Sequence, residues 1–160
     1  MSEILELLER FRRGAELVAV VSTGSAGAEW DYKAAPDKWS VRQIICHLAD
    51  SELVAADRFR RIIAEPDPVL QWFDEKLWAE NLDYQRRKFS NALESFRRMR
   101  GENYELLKSL PEEAWARTGT HTKFGVMTLK LLLLKNAEHA ENHARQLKEA
   151  REAYKASKKS

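Results

Sequence analysis

Apolar residues recur at every third or fourth position along most of the chain, which is the spacing of one face of an α-helix. In the first segment, residues 2–21, the apolar positions are Ile4, Leu5, Leu8, Phe11, Ala15 and Val18. The stretch "STGSAGAEW" then interrupts the pattern with glycines and small polar residues. The pattern therefore predicts a first long helix over residues 2–21.

The second helical segment has clear start and stop signals. Ser40 followed by Gln43 is a capping box, in which the serine hydroxyl accepts the amide hydrogen three residues on and the glutamine side chain bonds back. Pro66 and Pro68 end the segment, because proline cannot donate a backbone hydrogen bond and crowds the preceding turn. A helix from Val41 to about Glu65 is predicted.

Two further long helices are predicted beyond these prolines. One spans roughly residues 83–110, although Gly101 weakens it locally. The last runs from about residue 127 to about residue 154 and frays into the basic tail "KASKKS". A helical turn or two is expected near residues 72–80, "LPEEAW" indicates a proline-started turn, and "RTGTHTKFG" indicates a loop.

These elements predict an all-α protein, an up-down-up-down four-helix bundle with a long connection between helices 2 and 3. No stretch alternates apolar and polar residues over the length of a strand, so no sheet is expected. The length of 160 residues fits one domain. We predict a single bundle domain over residues 1–155 and a basic tail over residues 156–160.

Composition narrows the classes of partner and compartment. The 27 basic and 25 acidic residues are spread along the chain, so there is no basic stripe for nucleic acid. Apolar runs such as Leu131–Leu134 are too short to cross a membrane. Glu3, Glu6 and Glu9 among the first apolar residues do not fit a signal peptide. With Cys46 as the one cysteine, no internal disulfide is possible, and a cytoplasmic protein is predicted.

The candidate chemistry lies in the histidines. His139 and His143 are four residues apart on the last predicted helix, about 40° from each other around its axis, and two such imidazoles can bind one divalent ion. A third ligand must come from elsewhere, and His47 lies within the second helix among isoleucine and leucine residues, where an unpartnered ring would be costly. The alternative is a polar pair and a core histidine bonded to a carbonyl.

A zincin motif, H-E-x-x-H, is excluded by the residues around the histidine pair. The residue after His139 is Ala140, and Glu141 lies about 200° from His139 around the helix. The inverted motif requires a glutamate before the second histidine, where the chain has Asn142. The stretch itself therefore provides no general base.

Two segments, "DKWSVRQIICHLADSE" and "TKFGVMTLKLLLLKNAEHAENHARQL", together resemble the DinB/YfiT-like superfamily of metal-binding four-helix bundles. The matching residues of the first segment are Trp39, Ser40, Gln43, His47, Leu48 and Asp50. Those of the second are Gly125, Thr128, Leu129, His139 and His143. The resemblance covers roughly residues 1–150.

The resemblance implies that His47, His139 and His143 form a three-histidine site for Ni²⁺ or Zn²⁺, in a protein that forms a homodimer. It also implies a metal-dependent hydrolase, or a transferase that joins a low-molecular-weight thiol to a small-molecule electrophile. A non-catalytic metal-binding or stress-response protein is the alternative function. A helical interaction module with a degenerate site is the third.

Other residues are candidates for supporting roles. Asp50, one turn after His47, is either an acceptor that orients an imidazole or bound water, or a surface carboxylate paired with an arginine. Arg58 is a candidate clamp for an anionic substrate, unless this region is simply charged. His121 is expected to be an exposed loop residue outside the ligand set. Cys46, about 100° from His47, is expected to be a small buried residue that does not share its metal.

Two further pairs of residues lie near the predicted site. Asn136 and Lys135 precede His139 by about one turn and are candidates to line the same pocket, although Lys135 is favoured as solvent-facing. Trp72 and Phe73 are predicted to be core residues, with a pocket roof or a dimer contact as the alternative.

Overall fold

Four long helices, two short helices and a small sheet make up the computed structural model, which describes residues 2–160. The helices are α1 (Glu3–Ser22), α2 (Ala28–Asp31), α3 (Val41–Ala64), α4 (Glu75–Asn81), α5 (Phe89–Lys108) and α6 (Leu129–Ser157). The strands are β1 (Val69–Leu70), β2 (Thr118–His121) and β3 (Gly125–Thr128), and a 3₁₀ helix covers Glu112–Ala116.

Local capping sets the helix ends. The predicted capping box is present, since the amide of Gln43 donates to Ser40 Oγ at 3.2 Å and the amide of Ser40 donates to Gln43 Oε1 at 2.9 Å. Thr128 caps α6 in a similar way by accepting the amide hydrogen of residue 131. Helix α5 begins six residues later than predicted, and the first of those six residues, Asp83, has a left-handed backbone (φ 50°) that a helix cannot accommodate.

Contacts between helices give their relative directions. Early residues of α1 meet early residues of α6, as in the Glu3–Lys130 pair at 2.6 Å, and late residues meet late ones, as in the bond from Arg151 to the carbonyl of Val21. These two helices are therefore parallel. Helices α3 and α5 are also parallel, because Arg42 bonds to the carbonyl of Arg87 and Arg60 bonds to Asn103. Helix α6 is antiparallel to α3 and α1 is antiparallel to α5.

The predicted all-α four-helix bundle, with its long connection between the second and third long helices, is confirmed. Its helix directions are up-down-down-up, however, in place of the strict alternation that we predicted. The connection of residues 65–88 explains the difference. A chain of that length can extend well beyond the roughly 36 Å of α3, so it can return to the starting end before α5 begins.

The segment "RTGTHTKFG", predicted to be a loop, forms most of a β-hairpin. Strands β2 and β3 pair antiparallel with Thr118 opposite Thr128, and β1 pairs parallel to β2 with Val69 opposite Thr120. At Gly119 a Cβ would lie 3.1 Å from side-chain atoms of Ile62 and Leu70, so a larger residue would require these side chains to shift by a few tenths of an ångström. The sheet joins the α3–α5 connection to the α5–α6 connection.

The core consists of two apolar clusters with a charged layer between them. In that layer Arg100 donates to Glu52 at 2.7 Å and Asn103 donates to the same carboxylate at 2.9 Å, and all three side chains are buried. Arg100 also donates to the carbonyls of Phe11 and Asn136, so it links all four long helices.

Over residues 2–160, no helix combines the length and apolar character needed to span a membrane.

Candidate metal centre

Three imidazoles converge where α3 and α6 face each other. His47 lies in the first half of α3, and His139 and His143 lie on successive turns of α6. The Nε2 atom of His139 is 3.0 Å from Nε2 of His47 and 3.0 Å from Nε2 of His143. The antiparallel packing of the two helices thus brings together residues separated by 92 positions.

Burial keeps the three rings neutral. It lowers the pKa of His47 to about 3, with a smaller effect from His143. Burial also lowers the pKa of His139 well below its usual range, and the neighbouring histidines and Arg100 lower it further. The pKa of His143 is lowered by burial as well, although Gln146 partly opposes this shift. A neutral imidazole offers a nitrogen lone pair, which is the form that binds a metal.

Hydrogen bonding orients His143. Its Nδ1 lies 2.7 Å from Oε1 of Gln146, and because that amide oxygen can only accept, Nδ1 carries the proton. The lone pair on His143 Nε2 then points towards His139. For His47, the hydroxyl of Ser51 lies 3.3 Å from both ring nitrogens, so it contacts the edge of the ring.

The three rings cannot satisfy one another by hydrogen bonds alone. His139 Nε2 faces two nitrogens at 3.0 Å, but it carries at most one proton to donate. A divalent ion about 2.0–2.1 Å from His139 Nε2 can lie at the same distance from Nε2 of either neighbour, because each of those nitrogens is 3.0 Å from it. One ligand atom from each of the three residues lies within 4.8 Å of the others. His47, His139 and His143 could therefore hold a metal ion.

Asp50 does not orient these rings. Its carboxylate accepts from the hydroxyl of Tyr84 at 2.7 Å and from Arg87 at 2.8 Å, and none of the described hydrogen bonds joins it to an imidazole. Of the two predictions for this residue, the pairing with an arginine is what the structure contains, but the carboxylate is buried. Cys46 is buried nearby against the carbonyl of Tyr84, outside the histidine cluster, and burial raises the pKa of its thiol to about 11.

Of the three clustered histidines, His47 and His139 line a cleft of about 880 Å³. Its walls come from α3, α6, the α3–α5 connection and the β2–β3 hairpin, and the residues of interest are His47, Ser51, Arg58, Trp72, Phe73, Glu75, His121, Lys123, Phe124, Lys135, Asn136 and His139. Asn136 and Lys135 lie in the wall, as predicted, and Lys135 is exposed. Trp72 is 39% exposed, so the alternative of a pocket wall replaces its predicted core position.

His121 differs from its prediction as well. It is buried at the end of β2, and its Nδ1 accepts the amide hydrogens of Lys123 at 3.1 Å and Phe124 at 3.2 Å. The hairpin turn therefore fixes the ring in the wall of the cleft. It remains outside the histidine cluster.

Glu75 is a carboxylate at this site that the sequence analysis missed. Its Oε2 lies 3.7 Å from Nε2 of His47, and its side chain is 56% exposed at the start of α4. The preceding Asp74 caps this helix and so sets the position of Glu75. The short helix was expected, but no spacing rule connects a residue in a long connection with a histidine on α3.

The lowered pKa of His47 predicts acid sensitivity of the metal-free protein. An unfolded histidine binds a proton near pH 6.5, whereas folded His47 does so only near pH 3. Below pH 6.5 the unfolded chain binds more protons, so the free energy of unfolding falls as the pH decreases, by about 2 kcal/mol from this residue between pH 7 and pH 5. Urea unfolding at the two pH values measures the loss. His47→Gln is expected to show a smaller pH dependence, and an unchanged dependence would contradict the lowered pKa.

Fold and geometry together define a four-helix-bundle protein with a histidine cluster suited to a metal ion. Comparison with known protein families supports this assignment to a class. The family model of the DinB superfamily matches residues 7–147, and the chain belongs to that superfamily. The resemblance seen in the sequence is confirmed.

Relatives from several bacteria are described as putative metal-dependent hydrolases. The "Putative metal-dependent hydrolase YfiT" of Bacillus subtilis is 31% identical over 99 residues, which cover 62% of this chain and 53% of the relative. A protein of Oceanobacillus iheyensis with the same type of description is 33% identical over 105 residues, which cover 66% of this chain and 60% of the relative. The chain thus spans little more than half the length of these relatives.

A solved structure supports the fold independently. The structure described as "YfiT from Bacillus subtilis is a probable metal-dependent hydrolase with an unusual four-helix bundle topology" superposes with a TM-score of 0.86 at 23% identity. The superposition covers 94% of this chain and 87% of that one.

Proposed function

We propose that this protein is a metal-dependent hydrolase or transferase of small molecules, with His47, His139 and His143 as the ligands of Ni²⁺ or Zn²⁺. The observation that carries the proposal is the convergence of three neutral imidazoles beside a cleft of about 880 Å³, with His139 Nε2 lying 3.0 Å from Nε2 of each of the other two. Imidazole ligands suit both ions. The descriptions of the relatives support the metal dependence.

Three protein ligands are the number found in catalytic metal sites, which keep coordination positions open for water or substrate. When bound there, a divalent ion supplies Lewis acidity, which polarises a substrate oxygen and favours loss of a proton from water or a thiol. The carboxylate of Glu75 is placed to accept that proton and later to return it to the leaving group, because it lies 3.7 Å from His47 Nε2 and is open to solvent. Gln146 holds the ring of His143 in the tautomer that binds a metal.

The finer features of the proposal rest on the superfamily resemblance. A low-molecular-weight thiol is the proposed nucleophile of the transferase reaction, and water is that of the hydrolase reaction. We also propose a homodimer of single bundle domains (residues 1–155) in the cytoplasm. Exposed apolar side chains along α1, such as Leu17 and Val20, provide apolar surface of the kind that a dimer contact uses.

Glu75 also supports the second candidate function, a non-catalytic metal-binding or stress-response protein. A small movement of its side chain would bring the carboxylate within reach of an ion at the histidines, since the present separation from His47 Nε2 is only 3.7 Å. Four protein ligands would close the site, which is typical of structural rather than catalytic zinc.

Glu75→Gln separates the two functions. If Glu75 transfers protons, the variant is expected to keep one metal ion per chain while kcat/KM falls about 10²- to 10⁴-fold. The assay compares metal-loaded proteins on a panel of model esters and amides, and on thiol–electrophile pairs. Glu80→Gln, at an exposed position on the same helix, is the control and is expected to have no effect.

Two outcomes would contradict proton transfer by Glu75. Loss of metal from Glu75→Gln would identify the carboxylate as a ligand and favour the non-catalytic function. Full activity of the variant would show that the carboxylate takes no part in the reaction. Stoichiometric metal in a wild-type protein that is inert on the whole panel would count against any enzyme.

A further inference from the structure

Arg58 differs from the other partly or fully buried arginines. Over residues 2–160 the remaining six such arginines each pair with a carboxylate at 2.8 Å or less; they are Arg12, Arg42, Arg61, Arg87, Arg100 and Arg151. Arg58 has no carboxylate partner within ion-pair distance among these residues. Its Nη2 donates to the carbonyl of Gln71 at 2.6 Å, while its Nε is buried with no hydrogen-bond partner. An unpaired cation with a buried, unsatisfied donor is unfavourable unless another group balances the charge and accepts the hydrogen bonds.

Two acidic residues, one beside Arg58 in the chain and one in the same cleft, are already engaged. Asp57 pairs with Arg61 at 2.8 Å on the outer side of α3. Asp74, in the wall of the same cleft, caps α4 by accepting two backbone amide hydrogens. Glu75 also lines the cleft, but it forms no ion pair with Arg58, so the guanidinium is available to a ligand.

Arg58 and the histidine cluster face the same cleft. Eleven residues separate Arg58 from His47, which places the two about 20° apart around α3 and roughly 16 Å apart along its axis. Both residues line the cleft. Both side chains lean towards the N-terminus of α3, so this axial spacing is kept at the level of the side chains to within the longer reach of the arginine. A small organic molecule can span that distance.

The walls around Arg58 suit a ligand that is part anionic and part apolar. Lys123 lines the same region with its ammonium 4.5 Å from the ring centre of Trp72, and Arg58 lies 6.0 Å from that of Phe73. The pKa of His121 is lowered by burial and by the charges of Arg58 and Lys123, so these two cations act on one region. Lys76 and Lys135 add further positive charge to the cleft, and none of the described ion pairs involves them. Aromatic walls with a few charged groups are typical of small-molecule sites.

We propose that Arg58 binds an anionic group of the substrate, a carboxylate or a phosphate, while the bond that reacts lies at the histidine cluster. The substrate class is thus a small organic acid whose acid group and reactive bond are separated by roughly the spacing of Arg58 and His47 along α3. This inference rests on the proposed function in one respect, since it takes the histidine cluster as the place where the substrate reacts. The anion site itself does not depend on the metal.

Direct binding of simple anions tests the site. Glutarate and inorganic phosphate are titrated calorimetrically into metal-free and metal-loaded protein. Arg58→Met is expected to raise the dissociation constant of the better probe about 10- to 100-fold in both forms, because a charge-assisted hydrogen bond is lost while the apolar stem remains. Arg58→Lys is expected to bind more weakly than wild type but more tightly than Arg58→Met, and it serves the same purpose if Arg58→Met fails to fold.

Arg61→Met is the matched control, since Arg61 lies on the same helix but pairs with Asp57 outside the cleft. Its dissociation constants are expected to equal those of wild type. Tighter binding of glutarate would identify a carboxylate substrate, and tighter binding of phosphate would identify a phosphate one. The proposal is overturned if neither probe binds saturably, or if Arg61→Met weakens binding as much as Arg58→Met. Anion binding without any metal-dependent activity would refute the proposed function and leave the anion site standing.

Discussion

Replacement of His139 by alanine is expected to abolish metal binding, lowering the affinity for Ni²⁺ or Zn²⁺ by about 10³-fold or more. Loss of a residue that merely orients a ligand typically lowers metal affinity about 10- to 100-fold, and loss of a ligand should exceed that. His139 is the central member of the cluster, with its Nε2 3.0 Å from those of both His47 and His143. Elemental analysis of natively purified protein and chelator competition measure the change.

Two variants on the same helix calibrate this result. Asn142→Ala, at an exposed position, is expected to bind metal as wild type does. Gln146→Leu removes the acceptor for His143 Nδ1 and is expected to lower the affinity by about 10- to 100-fold. His47→Ala and His143→Ala are expected to resemble His139→Ala. Unchanged metal content and melting temperature in His139→Ala would instead identify a helical interaction module with a degenerate site.

Replacement of Arg100 by methionine is expected to lower the free energy of unfolding by about 3–5 kcal/mol, a large part of the stability of a domain of this size. The side chains of Arg100 and Glu52 are each only 1% exposed and are paired at 2.7 Å. Without the guanidinium, the buried carboxylate keeps only the bond from Asn103, and the carbonyl of Phe11 loses a donor. Urea unfolding followed by circular dichroism measures the loss.

Two further variants distinguish a broken pair from a damaged core. Replacing both charges, with Glu52→Leu and Arg100→Met together, is expected to recover much of the lost stability, because no isolated charge then remains buried. Arg98→Met, on the same helix, removes an arginine that is 77% exposed and is expected to change the stability by less than about 0.5 kcal/mol. A double variant as unstable as Arg100→Met would show that the arginine stabilises the bundle by its packing rather than by its charge.

Local signals were enough to predict the long helices. The capping box at Ser40 and the prolines after residue 65 act within one or two turns, and α3 spans Val41–Ala64 as those signals indicate. The directions of the helices were not predictable in the same way. A long connection allows the next helix to run either antiparallel to the preceding one or, after the chain has returned to the starting end, parallel to it. The hairpin was missed because strands of four residues are too short to show an alternating pattern.

In the candidate site, too, local patterns were visible in the sequence and contacts between distant segments were not. The four-residue spacing of His139 and His143 is visible in the sequence because a helix repeats regularly, and the structure brings His47 to them. Glu75 and His121 lie in connections whose approach to the site depends on tertiary structure. Helical spacing placed Asp50 on the face of His47. It could not show that the carboxylate of Asp50 accepts hydrogen bonds from Tyr84 and Arg87 and not from an imidazole.

The split of the three histidines between α3 and α6 also sets the order of events during synthesis. His47 leaves the ribosome 92 residues before His139, an interval of roughly 5 to 18 seconds at typical rates of elongation. Throughout that interval α1 and α3 lack the helix that packs against both of them and that completes the charged layer around Arg100. The nascent chain therefore lacks two of the three proposed ligands during that interval. Under the proposed function, metal loading would follow release of the last helix, so the free metal present at that moment, and not the pool available as synthesis begins, would determine which ion the protein acquires.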